Sequence, residues 1–147
     1  CSVICVGVWP EEVFVRAIPY RIRRALTCLL DNAIKYSYFG PQFRVEVGVT
    51  VSDGHARVLL TNYGIGIPPD RLRAIETHGG RGEVADSKRS PRLGLGLGVP
   101  FAKKTFQFYG GWLKISSVPA HNATREEVAT FHRYITTVEA AIRVARS

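Results

Sequence analysis

Apolar residues recur every third or fourth position from Ile22 to Ala33, where Ile22, Ala25, Leu26, Leu29, Leu30 and Ala33 fall at i, i+3, i+4, i+7, i+8 and i+11. That spacing draws one stripe along a helix, and Pro19 just upstream suits a first helical turn. The stretch ends near Gly40-Pro41, and the period then changes to two. Phe43, Val45, Val47, Val49 and Val51 alternate with Arg44, Glu46, Gly48 and Thr50, the pattern of a half-buried strand. Asp53-Gly54 is a turn signal, and Ala56, Val58 and Leu60 resume the alternation, which predicts a hairpin. Pro68-Pro69-Asp70 opens a short helix through Ile75 or Glu76.

From Thr77 to Leu93 the apolar period vanishes, and Gly79, Gly80, Gly82 and the run Ser87-Lys88-Arg89-Ser90-Pro91-Arg92 predict a long mobile loop. Unstructured loops above about 12–15 residues in a compact domain are usually functional or disordered. Val99, Ala102, Phe106 and Tyr109 then share one side of a further helix, stopped by Gly110-Gly111. Trp112 to Val118 and Val128 to Val138 read as two closing strands, and Val13-Phe14-Val15 belongs to a strand-like opening. The order predicts an α/β two-layer domain with a mixed sheet, not a doubly wound one.

Composition narrows this only a little. At 147 residues the chain fits a single domain over 1–147, and 46% apolar with 22% charged residues is ordinary for a globular protein. Its apolar runs are too short to span a bilayer. Cys1 to Cys5 has neither a basic leader nor a processing site, so no signal peptide is expected. Methionine is absent, which is the pattern of a domain excised from a longer parent. Three cysteines without CxxC spacing argue against a disulfide scaffold or zinc site, and a reducing, cytoplasmic setting is expected. A formal charge of +8 favours an anionic partner. Nucleic acid and a polyphosphate both suit that charge, although the basic residues are scattered and no basic run with interleaved aromatics occurs.

Candidate chemistry begins on the first helix. Asn32 and Lys35 lie on one flank of the stripe, with Cys28 one turn before Asn32. Asn32 offers a neutral oxygen to a hard cation, and Lys35 an ammonium to phosphate; both residue types are also ordinary on a solvated helix face. The hairpin runs into Asn62-Tyr63-Gly64-Ile65-Gly66-Ile67-Pro68, where Gly64 and Gly66 let the backbone approach a flat ligand closely. Gly94-Leu95-Gly96-Leu97-Gly98 stands at a helix start, where free N–H groups and the helix dipole favour an anion. It is neither a Walker loop, lacking Gly-Lys-Ser/Thr, nor a dinucleotide fingerprint, lacking a strand immediately before it.

Taken in order, these segments resemble the ATP-binding catalytic domain of sensor histidine kinases. Leu29 to Ser37 is similar to that family's N box, Asn62 to Ile67 to its G1 box and Gly94 to Val99 to its G2 box. Leu72 to Leu93, including Arg81-Gly82, resembles its linking helix and lid, with the lid over about 77–93. Residues 12–118 carry the likeness, and Thr130-Phe131 fits the closing Thr-Phe more loosely. The resemblance implies a Bergerat-type fold, with about five strands in a mixed sheet, three helices on one face and ATP held beneath the lid. It implies magnesium on Asn32, and phosphate contacts from Lys35 and from the amides of Gly94, Gly96 and Gly98. Asn62 would read the adenine, with Tyr36, Ile67 and Leu97 flanking base or sugar, Gly64, Gly66 and Arg81 completing the site, and Thr130 holding a water. It implies transfer of the γ-phosphoryl group to a histidine on separate dimerisation helices, a response regulator downstream, no nucleic acid, a monomeric isolated domain, and a cytoplasmic setting compatible with a membrane-anchored parent.

Four departures stand out. The family usually has Asp at the position of Asn62 and a second Asn at the position of Cys28; its aromatic box before Arg81 is replaced by Thr77-His78-Gly79-Gly80; and residues 119–128 are longer and more polar than its pattern. ATP-hydrolysing relatives use a Glu where Cys28 stands, and a thiol is a poor base for water. Anti-sigma-factor-like serine kinases and a degenerate docking domain are the other readings. His55, His78, His121 and His132 all lie outside a phosphoacceptor motif.

Overall fold

The computed structural model describes residues 1–78 and 98–145. Strand β1 (Ser2–Cys5) is followed by helix α1 (Pro19–Tyr36), strands β2 (Arg44–Ser52) and β3 (His55–Gly64), and helix α2 (Pro69–His78). Helix α3 (Gly98–Phe108), strand β4 (Trp112–Pro119), helix α4 (Arg125–Ala129) and strand β5 (Tyr134–Arg143) complete the described chain. The sheet has five strands in the order β1-β2-β3-β5-β4. β1 runs parallel to β2, and every other neighbouring pair is antiparallel.

The sequence pattern explains most of these elements. In α1 the stripe buries Ala25, Leu29 and Ala33, and one more turn buries Tyr36. Pro19 opens this helix without a side-chain cap, and the amide of Ile18 donates instead to Tyr109 Oη at 3.1 Å, tying the start of α1 to the end of α3. Asp53 and Gly54 both take left-handed φ values, 52° and 73°, which is what a tight hairpin turn matched to strand twist requires. Leu60 of β3, Ala140 and Ile142 of β5, Phe106 of α3 and Ile75 of α2 join Leu29 in one core between the helices and the sheet. Gly111 permits a close approach, since a Cβ there would overlap the carbonyl of Ala141 on β5.

One closing strand differs from the sequence expectation. Residues 128–138 do not form a continuous strand: α4 occupies 125–129, and β5 begins only at Tyr134. Thr124 caps α4 reciprocally, its hydroxyl accepting from the Glu127 amide at 3.2 Å while Glu127 Oε2 accepts from the Thr124 amide at 2.8 Å. Phe131 and Arg133 then turn the chain at φ 57° and 56°. The Thr124-Arg125-Glu126-Glu127 spacing is a helix-start signal, and it outweighs the apolar alternation that suggested a strand.

Candidate functional site

A narrow cleft lies between α1 and the sheet. Its walls are apolar: Leu29 and Ala33 from α1, Ile65 and Ile67 beyond β3, Val99 from α3, Ile115 from β4 and Val138 from β5. Asn32, Tyr36, Asn62 and Thr136 supply the polar points. A mostly apolar pocket with a few placed polar groups is the usual form of a small-molecule site.

Each polar point is fixed by its element. Helical spacing brings Asn32 and Tyr36 to the same flank of α1. The end of α1 is then stitched to the segment after β3: Ser37 bridges Gly64, and the Ile65 amide donates to Tyr36 O at 3.0 Å. Asn62 sits opposite Thr136 in the antiparallel ladder, so both side chains enter the cleft from the sheet floor. Below them the Ile67 amide donates to Ser117 Oγ at 2.9 Å, and Ser117 Oγ and Thr136 Oγ1 share a hydrogen bond of 2.9 Å.

Two amides in this cleft stand out. Asn62 is only 4% exposed, and the Nδ2 atoms of both Asn32 and Asn62 are buried without a hydrogen-bond partner among the described residues. Such groups cost about 1–3 kcal/mol each when left unpaired, so a ligand that engages them is held preferentially. Tyr36 is buried too; burial pushes its phenol up to about 12 from the usual 10.0, against a smaller lowering by Arg71. The described residues hold no group of three or more His, Cys, Asp or Glu side chains able to cage a metal ion.

Asn32, Tyr36, Asn62 and Ile67 are thus brought together as expected from the sequence. Lys35 is exposed at the rim, with its ammonium 6.0 Å from the Tyr36 ring centroid. Gly64 and Gly66 have a different use from the one expected. A Cβ on Gly64 would overlap the carbonyl of Tyr36, and one on Gly66 the ring of Tyr134, so both glycines make room for protein packing. Gly98 lies against Cys28, where a Cβ would come within 3.0 Å of its Cβ. Thr130 is not at the cleft: it is exposed at the end of α4, where its hydroxyl donates to Glu126 O at 2.9 Å. Thr136, not Thr130, lines the cleft, because β5 begins only at Tyr134. Arg81, Gly94, Gly96 and Leu97, with the expected lid, lie outside the described residues apart from the Thr77–His78 end of α2.

Sequence reasoning missed Thr136 and Ser117. The register of β5 against β3 sets Thr136 opposite Asn62, and that of β4 against β5 sets Ser117 opposite Thr136.

Residues 17–136 match the family of histidine kinase-, DNA gyrase B- and HSP90-like ATPases. The sensor histidine kinase YkoH of Bacillus subtilis is 32% identical over 109 residues, covering 74% of this chain and 23% of that protein. The histidine-protein kinase/phosphatase MprB of Mycolicibacterium vanbaalenii is 36% identical over 111 residues, covering 75% of this chain and 21% of that one. The chain thus spans less than a quarter of the length of these curated relatives. Among solved structures, a mycobacterial sensor histidine kinase MprB matches 89% of this chain and 76% of its own, with a TM-score of 0.56 at 24% identity. Full-length ShkA in complex with AMPPNP matches 99% of this chain and 26% of its own, with a TM-score of 0.61 at 19% identity. Those two likenesses establish the fold: a mixed five-stranded sheet under helices, as in histidine kinase catalytic domains.

Proposed function

Because this chain belongs to the histidine kinase-, DNA gyrase B- and HSP90-like ATPase family, we propose that it binds MgATP and donates the γ-phosphoryl group to a histidine on a separate dimerisation domain, as the catalytic part of a two-component sensor kinase. The observation that carries this reading is that Asn32 and Asn62, each with a buried Nδ2 lacking a partner among the described residues, line one apolar cleft. On this reading the base lies flat between the α1 wall and Ile67, and its polar edge meets Asn62 and Thr136. Water is excluded from that edge by Leu29, Val99 and Val138. Lys35 reaches the phosphates from the rim of α1. Arg81 and the amides of Gly94, Gly96 and Gly98 join them by position in the sequence, and Leu97 by the same argument covers the sugar. The amide oxygen of Asn32 would hold magnesium, which would neutralise charge on the phosphate oxygens.

The chain contributes positioning more than chemistry. Phosphoryl transfer needs the donor held in line with a nucleophile, and no histidine of this chain stands in an acceptor motif. Cys28, one turn before Asn32, offers no carboxylate to activate water, which favours transfer over hydrolysis. The partners are then the parent's dimerisation helices and a response regulator, in the cytoplasm. No helix among the described residues is long and apolar enough to cross a membrane. The whole chain is read as one domain, with residues 77–93 as its lid. The test is a binding isotherm for ATP with and without magnesium: micromolar-range affinity that strengthens with magnesium is expected, and absence of binding overturns the reading.

A further inference from the structure

The floor of the cleft is richer in donors than an adenine pocket requires, and its chemistry bears on which base it takes. Asn62 presents a buried Nδ2 with no partner among the described residues. Thr136 stands directly across the ladder from it and is 5% exposed. Side chains so paired in an antiparallel sheet have Cβ atoms about 5 Å apart. Thr136 shares its hydrogen bond with Ser117, and Ser117 already accepts from the Ile67 amide. That contact uses one of the two hydroxyl protons and leaves the other to be donated.

A purine distinguishes itself at position 6. Adenine places an amino donor there beside the N7 acceptor, whereas a 6-oxopurine places an acceptor there beside N7. A carboxylate in the floor would be acceptor-only and would repel the 6-oxo group. The Asn62 amide has both a donor and an acceptor end, and its Nδ2 is buried without a partner among the described residues. Resting on the nucleotide-binding reading above, we propose that this site accepts 6-oxopurine nucleoside triphosphates alongside ATP, and that Asn62 sets this breadth. Rotating the amide half a turn exchanges acceptor for donor without moving the backbone, and the hydroxyl pair beside it adjusts its proton in the same way.

The experiment compares binding of ATP, GTP and ITP, each with magnesium, to the chain and to Asn62→Asp. ITP carries the 6-oxo group without the 2-amino group of guanine, so it tests position 6 alone. The expected result is ITP affinity within about tenfold of ATP, widening to about a hundredfold in favour of ATP in Asn62→Asp, the scale of a buried donor–acceptor mismatch. GTP following ITP extends the breadth to guanine; GTP failing where ITP binds supports the same role for Asn62 and assigns the exclusion to the 2-amino group. Tight ATP binding with ITP weaker by more than about a hundredfold overturns this inference and leaves the proposed function standing. Failure of all three overturns the proposed function itself. Equal preference in the chain and in Asn62→Asp removes Asn62 from the role. Should Asn62→Asp not fold, Thr136→Val supplies the second variant: ITP binding falls several-fold more than ATP binding if the hydroxyl donates to the base, and equal losses overturn it.

Discussion

Asn32 and Tyr36 share one flank of α1 but serve the cleft through different physics. Asn32 lines the cleft with an amide whose oxygen is the end able to ligate a hard cation, so on the proposed reading its value lies in what it binds. Asn32→Ala is expected to remove most of the magnesium-dependent part of ATP affinity, about 1.5–3 kcal/mol for a charge-assisted contact. Isotherms with and without magnesium check this, and an unchanged magnesium increment would take Asn32 out of the site. Tyr36 instead affects stability. Its phenol is raised to about 12 in the folded chain against 10.0 when free, chiefly by burial. Between those values the folded state holds the proton and the unfolded state has lost it, so stability is intact below pH 10 and falls as pH rises toward about 12. Tyr36→Phe should flatten that decline, which urea melts on either side of pH 10 would register.

The elements depend on local signals of unequal strength. α1 is specified by a long apolar stripe, but its attachment to the sheet rests on Gly64, where any Cβ meets the Tyr36 carbonyl. Gly64→Ala should therefore cost on the order of 3 kcal/mol or more, because backbone must move to relieve the overlap. Helix α4 is short and buries no residue, so its reciprocal cap carries much of its stability. Thr124→Ala is expected to lose about 1 kcal/mol. Chemical denaturation measures both, and a neutral Thr124→Ala would mean that the Arg133–Glu127 ion pair at 2.9 Å holds the segment instead.

For the molecule as a whole, the proposed reading has the cleft hold a nucleotide but gives it no phosphoacceptor. Incubated alone with labelled ATP, the chain should not label itself and should turn ATP over slowly. Adding the parent's dimerisation helices, with their histidine, should restore transfer. Fast hydrolysis by the chain alone would favour the hydrolase branch of the family. Good ATP binding without transfer to those helices would leave a docking domain.

The helix-period stripe of α1, the Val-rich alternation of β2 and the Asp53-Gly54 turn were all legible, because each is dictated by residues adjacent in sequence. So were Asn32, Asn62 and Ile67, whose segments announce themselves by order and spacing. The closing strand was not. Its apolar alternation suits a start at Val128 or at Tyr134, and only pairing against β3 and β4, from Gly64–Tyr134 to Trp112–Ala141, decides between them. That register moved the threonine of the site from Thr130 to Thr136 and brought in Ser117. The glycines show the same division. Sequence marked Gly64 and Gly66 as places of close approach, but what approaches, the end of α1 and the Tyr134 ring, is set by contacts across the fold. Local pattern determines which residues can form an element; the burial shared between distant elements determines which face, register and neighbour each one receives.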